Sequence, residues 1–494
     1  MTPGAGGFTP PLNQIAFSVV DLRLTERWFR EAFGLLPAGG SRWLMRGPLA
    51  ANVQGLPRAA STCWWLLGQN SWFQLELFQF DRPLAKLMTA DFRPCDIGYT
   101  RIGIWVEDFD ATLKRLAELG SQPLTDPLGE RGGRRACVRN PDGVYVEIME
   151  DDPLPQFNRR GRVDCPAAVR SVTLSVRHLI HAAAFFEHGI GLKASSARLH
   201  TPEHEASWGL AGATTESRLF DGGEVLIEVV QYLDPVGKPR PYDYRLSDQG
   251  ILNIAFGARR RADFTAVYRR AKAFGARPNC RPVHLAGAGS VVYVNDPQGF
   301  SVEILRTKPG LADRIFGFEP RPLHKRPDPD TRRIEHRIRI NAPADKVWDA
   351  ITDQDNMAEW IGFDPVTVRK EGWTRRHGAG SERLMSGPLG AGQVVEQVIA
   401  TSPQESLRYR VIEGSPLTCH QGEITLKHSD GHTELHWSIR FRPKVAGTGA
   451  VLQKVLQAKL RTMLDDHLKP YIEKNTAAGV FMTPEPANTE TEAR

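Results

Sequence analysis

One short stretch occurs twice in the sequence: residues 141–148 read PDGVYVEI and residues 297–304 read PQGFSVEI. In each copy a Pro-x-Gly turn leads into an alternating strand that carries one glutamate, Glu147 or Glu303. A carboxylate in an apolar strand is costly unless it is paired, solvated or bound to something. The two copies therefore predict a repeated strand whose glutamate has a specific partner.

Further matches extend the repeat, so that residues 12–150 and 168–306 look like duplicates. Each duplicate contains two smaller units, in which a short apolar strand is followed by an amphipathic helix and two or three strands. The helix at 110–119 places its leucines on one face and stops at Gly120. The last strand of every unit carries one glutamate; the four are Glu76, Glu147, Glu228 and Glu303. The pattern predicts strand–helix–strand–strand–strand, four times over.

Composition narrows the class of protein. A length of 494 residues suggests roughly three domains. The net charge of +6 forms no basic stripe with interleaved aromatic residues, so we expect no nucleic-acid partner. Six scattered cysteines favour reduced thiols, and no run is long enough to span a bilayer, so we predict a cytoplasmic protein with no membrane partner. Residues 475–494 are expected to be a disordered tail.

The first two thirds resemble the vicinal-oxygen-chelate superfamily of glyoxalases, bleomycin-resistance proteins and extradiol dioxygenases. The resemblance is carried by "DPxGxxxE" in the last strand and by V-x-D-(L/F) after the opening strand, at 19–22 and 106–109. It implies two glyoxalase-like domains, at 12–150 and 168–306, whose sheets curve around a cavity. It also implies that each glutamate faces the cavity and binds a divalent metal together with a residue of the opening strand.

The positions on the opening strands that correspond to that ligand are Gln14, Arg101, Ser171 and Asn253, and none is histidine. If neighbouring units pair, the sites are Gln14/Glu76/Arg101/Glu147 and Ser171/Glu228/Asn253/Glu303. If the outer units pair, they are Gln14/Glu76/Asn253/Glu303 and Arg101/Glu147/Ser171/Glu228. The outer pairing leaves one set without arginine, Gln14, Glu76, Asn253 and Glu303, which could hold Mg²⁺ or Mn²⁺.

Three roles remain open for the glutamates: ligands of a catalytic metal, relics that accept hydrogen bonds, or metal-free general bases, for which Glu76 and Glu303 are the candidates. Arg101 beside Glu147 would neutralise that carboxylate without an ion. The candidate catalytic residues are thus Glu76, Glu303, Glu147 and Arg101. His200 and His204 have ligand-like spacing, but Pro202 argues against a regular helix there. The aromatic candidates for ligand binding are Trp72, Phe78 and Tyr145.

The last third follows a different pattern after a linker predicted at 307–331. It begins with an alternating strand, followed by a helix that starts at Pro343. Several further strands and a long amphipathic helix at about 449–473 come next. With "I-x-A-P-x-x-x-V-W" from Ile340 onward, residues 332–474 resemble the START-like, or polyketide cyclase/dehydrase and lipid-transport, family. The resemblance implies a helix-grip fold with a deep apolar cavity. Tyr409 and Trp437 are predicted on its inner face, and His420 with Glu423 as an acid/base candidate.

We therefore predict an α+β protein in which two βαβββ-repeat glyoxalase-like domains precede a helix-grip domain. The first functional hypothesis is an enzyme or enzyme-like protein that acts on a small hydrophobic metabolite, aromatic, polyketide, terpenoid or steroid-like. Isomerase, lyase or dioxygenase-type chemistry would occur in the duplicated half, and the last domain would bind the ligand. The alternative is a non-catalytic binding, sequestration or resistance protein. A divalent metal is a candidate cofactor, and we expect a monomer or homodimer.

Overall fold

The computed structural model describes residues 7–158, 164–285, 287–322, 331–387 and 392–478. The chain divides into two compact units, Met1–Pro327 and Asp328–Arg494. Both units mix helices with sheets, so the protein is α+β as predicted. No helix in the described ranges has the length and apolar character needed to cross a bilayer.

The first two repeats run from β1 to β7. Repeat one comprises β1 (Leu12–Ser18), α1 (Leu22–Phe33), β2 (Leu36–Ser41), α2 (Gly47–Gln54), β3 (Ala60–Leu67) and β4 (Gln74–Arg82). Repeat two comprises β5 (Gly98–Val106), α3 (Phe109–Glu118), β6 (Arg135–Arg139) and β7 (Tyr145–Met149).

The other two repeats have the same order of elements. Repeat three comprises β8 (Ala167–Ser175), α4 (Leu179–Ala184) with a π-helical turn to Ile190, β9 (Lys193–Ala194), β10 (Thr214–Asp221) and β11 (Leu226–Asp234). Repeat four comprises β12 (Gly250–Ala258), α5 (Arg261–Ala273), β13 (Arg277–Pro278), β14 (Val283–Leu285), β15 (Gly289–Asn295) and β16 (Ser301–Thr307). The predicted fourfold repeat is thus present in the fold, although repeat two closes with two strands, β6 and β7, rather than three.

The repeated motifs have local physical causes. Before β7, the Asn140 side chain accepts hydrogen bonds from the backbone N–H groups of Asp142 and Val144, and Gly143 takes a φ of 81° that a side chain would disfavour. In the V-x-D motif the aspartate is the helix N-cap: the Asp21 carboxylate accepts from the N–H groups at the start of α1. Both motifs therefore fix where one element ends and the next begins.

The outer repeats share one sheet and the inner repeats share the other. The first sheet has the order β13-β15-β16-β12-β1-β4-β3-β2, with β14 beside β15, and the second has β6-β7-β5-β8-β11-β10-β9. The junctions are antiparallel, β1 with β12 and β5 with β8. Of the two pairings that the sequence allowed, the structure has the outer one.

One large hydrophobic core takes side chains from both sheets and from the helices α1, α3, α4 and α5. It receives Val146 and Ile148 from β7 and Val144 from just before that strand, while Glu147 lies on the opposite face of β7. The four glutamates therefore point away from the shared core, where other segments cover them.

The second unit is a seven-stranded antiparallel sheet with a long C-terminal helix. Its strands are β17 (Arg332–Ile340), β18 (Val366–Lys370), β19 (Glu382–Ser386), β20 (Gln393–Ser402), β21 (Ser406–Glu413), β22 (Leu417–Ser429) and β23 (His432–Pro443), in the order β17-β23-β22-β21-β20-β19-β18. Its helices are α7 (Ala344–Thr352), α8 (Ala358–Ile361), α9 (Gly449–Thr462) and α10 (Lys469–Ala477), the last two joined by a π-helical segment. The helix α6 (Leu311–Ile315), which follows β16, belongs to the first unit.

Parts of two sequence predictions lie outside the described residues. For the predicted linker these are residues 323–330, and for the predicted tail residues 479–494. Within the described part of the linker region, Arg321 donates its backbone N–H to Pro37 of the first unit at 2.7 Å. The segment after β16 therefore packs on the first unit.

Candidate functional site

The first centre, defined as Gln14, Glu76, Asn253 and Glu303, lies on the four central strands of the first sheet. The Gln14 Nε2 donates to Glu76 Oε2 at 2.5 Å and lies 3.5 Å from Glu303 Oε2. The indole of Trp65 donates to the other oxygen of Glu76 at 2.8 Å. One amide group therefore bridges two carboxylates that come from opposite ends of the first unit's sequence.

Both carboxylates of the first centre are 4% exposed, and among the described residues neither forms an ion pair with a lysine, arginine or histidine. Burial raises the pKa of Glu76 to about 7. Burial and the nearby charge of Glu76 raise the pKa of Glu303 to about 8. Near neutral pH this pair can accept or release a proton, which an ordinary surface glutamate does only in acid.

The first centre fits a hard divalent cation. Glu76, Asn253 and Glu303 offer oxygen atoms, which Mg²⁺ and Mn²⁺ prefer. Gln14 presents its Nε2 to the carboxylates instead, because its oxygen accepts from Gln74 at 2.9 Å. The Asn253 amide is fully buried and interacts with Glu303 and Tyr293, although neither contact has the geometry of a regular hydrogen bond. Two carboxylates without a cationic partner, beside a buried amide, are compatible with a bound cation.

Apolar side chains cover the first centre. Trp65 and Phe78 belong to a cluster that also includes Leu56, which follows α2. Gly317 lies against the Trp65 ring, so closely that a Cβ there would come within 2.3 Å of it. Trp72, the other aromatic residue predicted near this site, lies instead under the Arg259 guanidinium, 3.6 Å from its ring centroid.

The second centre, defined as Arg101, Glu147, Ser171 and Glu228, lies at the matching place in the second sheet. Arg101 Nη2 is 3.0 Å from Glu228 Oε2, so Arg101 pairs with Glu228 rather than with Glu147. The strand register explains this choice, because Arg101 and Glu228 both lie opposite Thr173 of β8. Thr173 also donates its hydroxyl to Glu228 at 2.9 Å.

His200 completes the second centre, and sequence reasoning did not place it there. Its Nε2 lies 2.8 Å from Glu147 Oε2 and its Nδ1 lies 2.8 Å from Glu228 Oε1. His204, its partner in the sequence motif, instead accepts a hydrogen bond from the backbone N–H of Thr201 at 3.0 Å. The only sequence signal for this contact was weak. His200 lies in an insertion of repeat three, and Glu228 of the same repeat needed a partner.

The second centre does not fit a divalent metal. The imidazole of His200 lies between the two carboxylates, and the permanent charge of Arg101 would repel a cation. Burial by itself would raise the pKa of the Glu147 and Glu228 carboxyls. The charge and hydrogen bonds of His200 outweigh this and lower both pKa values to about 2. Tyr145, predicted as a ligand contact here, instead donates its hydroxyl to the backbone of Phe92 at 2.9 Å.

In the second unit the predicted inner-face residues Tyr409 and Trp437 meet. The Trp437 indole donates to the Tyr409 hydroxyl at 3.0 Å, and the Trp360 ring packs 6.2 Å from Trp437. Sequence analysis did not identify the buried ion pair on this face, in which Arg383 Nη2 lies 2.5 Å from Glu396.

The acid/base candidate His420 and Glu423 is not brought together. The His420 ring lies 6.0 Å from Tyr409, while Glu423 is exposed. A register shift between Thr418 and Gln421 interrupts the regular pairing of β22 beside His420. Elsewhere in this unit Asp353, Asp355 and His377 cluster, but Arg376 already pairs with Asp355 at 2.9 Å, so we assign no metal there.

Comparisons with known proteins agree with this geometry. Residues 13–138 match the Glyoxalase/Bleomycin resistance protein/Dioxygenase superfamily model, and residues 331–473 match the Polyketide cyclase / dehydrase and lipid transport model. No curated protein matches the chain.

Three solved structures are among those that are similar to parts of this chain. Glyoxalase I from Zea mays is 16% identical with a TM-score of 0.42, over 62% of this chain and 94% of that one. A putative dioxygenase from Bacillus subtilis is 14% identical with a TM-score of 0.44, over 65% and 94%. The Zhui aromatase/cyclase from Streptomyces sp. R1128 is 19% identical with a TM-score of 0.26, over 30% and 98%. By these matches the chain contains a glyoxalase/bleomycin resistance/dioxygenase domain at residues 13–138 and a polyketide cyclase/dehydrase and lipid transport domain at residues 331–473.

Proposed function

We propose that the chain acts on a small hydrophobic metabolite, with proton transfer at the first centre and ligand binding in the C-terminal domain. The observation that carries this proposal is the buried pair Glu76 and Glu303, which lacks a cationic partner in the described chain and titrates near neutral pH. A purely structural carboxylate pair would be expected to have a neutralising partner, as the second centre has.

Each group of the first centre has a defined part in this proposal. The two coupled carboxyls share a proton near neutral pH, so that the ionised one accepts a proton from a carbon or hydroxyl that a neighbouring carbonyl acidifies. The protonated one donates its proton to the oxygen of that carbonyl. Gln14, which reaches both carboxylates, orients them. A divalent cation held by Glu76, Asn253 and Glu303 would polarise a substrate oxygen.

The aromatic residues of the second unit support the proposed class of ligand. Tyr409, Trp437 and Trp360 form a buried aromatic cluster there. The indole N–H of Trp360, a residue that is 2% exposed, has no acceptor among the residues described. A mostly apolar molecule that carries one carbonyl or hydroxyl oxygen would pack on these rings and accept that hydrogen bond.

The experiment begins with native mass spectrometry of the full chain, to identify a small molecule that co-purifies with it. Conversion of that molecule, or of its close analogues, is then measured for wild type, Glu76→Gln and Glu303→Gln, with Glu216→Gln as the control. Glu216 lies exposed on β10, so its substitution tests for a general effect of losing one carboxylate.

We expect conversion by wild type and the control variant, and loss of conversion in both variants of the first centre. Conversion that survives both substitutions would show that these carboxylates are not catalytic. A chain that retains the molecule and converts nothing would favour the alternative function, sequestration without chemistry.

A further inference from the structure

We infer that His200 is protonated and supplies the positive charge of the second centre, in the position that a divalent metal would have. Its contacts also hold the loop that carries it against the sheet. This inference concerns the inner pair of repeats and does not depend on the function proposed for the first centre. It rests on four side chains: His200, Glu147, Glu228 and Arg101.

The geometry requires His200 to carry a positive charge. Both ring nitrogens lie 2.8 Å from a carboxylate oxygen, one from Glu147 and one from Glu228. An ionised carboxylate only accepts hydrogen bonds, so each nitrogen must donate one. An imidazole ring with two N–H groups is the imidazolium cation.

Cationic side chains already face both carboxylates when His200 is in that form. The negative charges of Glu147 and Glu228 face the positive charges of His200 and Arg101. Arg135, which comes within 4.0 Å of Glu147, has its own carboxylate partner in Asp151 at 2.8 Å, and the buried carboxylate of Glu205 acts on Arg101. A divalent cation between Glu147 and Glu228 would be repelled by both His200 and Arg101, which is unfavourable in a buried place.

The contacts also fix the loop that carries His200. This loop, residues 195–213, lies between β9 and β10 and includes a short 3₁₀ helix, Pro202–Trp208. The Trp208 ring stacks on the Arg101 guanidinium, 3.7 Å from its centroid. The same indole donates to Glu205 at 2.7 Å, and the Tyr232 hydroxyl donates to Glu205 at 3.0 Å. His200 and Trp208 thus fasten the loop at two points over the carboxylates.

The matching insertion of repeat one, between β2 and β3, contains arginines, but among the described residues none of them forms an ion pair with Glu76 or Glu303. It contains α2, and the nearby cluster around Trp65 receives the apolar side chains of Leu56 and Ala59. The duplicated centres therefore differ in what their insertions contribute: a charged side chain in one case and apolar side chains in the other. The first centre keeps its carboxylates unpaired as a result, while the second is closed.

The test is ¹⁵N NMR of the histidine rings in the full wild-type chain, with His200→Gln used to assign the resonances. We expect both ring nitrogens of His200 to be protonated from about pH 6 to pH 8, where an ordinary histidine loses one proton. Addition of Mn²⁺ should leave the His200 signals unbroadened. A deprotonated nitrogen at neutral pH, or broadening by Mn²⁺ that Glu147→Gln abolishes, would overturn the inference.

Hydrogen exchange gives a second readout of the fastening. In His200→Gln the backbone amides of residues 203–210 should exchange about tenfold faster or more, because the loop opens more often. His181→Gln, at an exposed helical histidine, is the control and should leave these amides unchanged. Unaltered protection of the loop in His200→Gln would overturn the fastening role. If that variant does not fold, the wild-type NMR measurement still decides, with resonances assigned through the backbone.

Discussion

Replacing Glu76 by glutamine should make the first unit more stable in alkaline solution and leave it almost unchanged in acid. The pKa of this carboxyl rises from 4.5 to about 7 on folding because burial penalises its charged form. One pKa unit corresponds to about 1.4 kcal/mol, so the ionised carboxylate costs the folded state about 3 kcal/mol. Glutamine has the same shape and cannot ionise.

The direction of the pH dependence follows from proton linkage. Between pH 4.5 and about 7 the folded chain retains a proton that the unfolded chain has lost, so stability falls as the pH rises. Above about pH 7 the full cost is present. At about pH 5 the folded carboxyl is still mostly protonated, and we expect Glu76→Gln to be within about 1 kcal/mol of wild type. At about pH 9 we expect the variant to be more stable by about 3 kcal/mol.

The assay is thermal unfolding of the full chain with a chelator present. It is followed by scanning calorimetry, which separates the transitions of the two units. Glu216→Gln provides the matched control, since its carboxylate is exposed and should show no gain at either pH. A Glu76→Gln variant whose stability relative to wild type is the same at both pH values would refute the raised pKa and, with it, the acid/base role of this residue.

Three further predictions concern other charged and aromatic groups. Arg383→Met leaves Glu396 buried without its partner and should lower the free energy of unfolding of the second unit by about 3–5 kcal/mol. The double variant Arg383→Met/Glu396→Leu should recover most of that loss. An equal loss in the single and the double variant would contradict this. Trp437→Phe removes the donor to Tyr409 as well as part of a buried ring, and in denaturant unfolding it should cost about 1 kcal/mol more in wild type than in a Tyr409→Phe background, where the hydrogen bond is already absent. Burial lowers the pKa of His200, but Glu228 and Glu147 raise it to about 9. The loss of unfolding free energy in His200→Gln should therefore be largest below about pH 6.5 and become smaller as the pH rises through 9. A loss that grows with pH would contradict this.

Much of the fold could be predicted because it depends on local patterns. The alternation in residues 141–148 fixed which side of β7 carries Glu147, and burial of Val146 and Ile148 in the core confirms it. The V-x-D motif marks a helix start because the Asp21 side chain caps α1. These features depend on neighbours within a few residues, which a single sequence displays.

The pairing of the repeats could not be decided in that way. All four opening strands have similar apolar sequences, so β1 could be placed beside either of two partners until the structure showed β12. The choice matters chemically, because it separates Arg101 from Glu76 and puts it beside Glu228 instead. Long-range register therefore determines which centre keeps free carboxylates.

His200 was missed for a related reason. It belongs to an insertion of irregular conformation, and neither period 2 nor period 3.6 indicates where such a side chain points. Its distance in sequence from Glu147 hid a contact of 2.8 Å. The sequence showed that the buried glutamates needed partners, and only the tertiary structure identified which of them obtained one.

The most direct test of the account is a crystal structure of the chain with its co-purified small molecule bound. We predict a polar group of that molecule within hydrogen-bonding distance of Glu76 or Glu303, and His200 still between Glu147 and Glu228. A molecule bound in the duplicated half at the second centre, with His200 displaced from its two carboxylates, would contradict it.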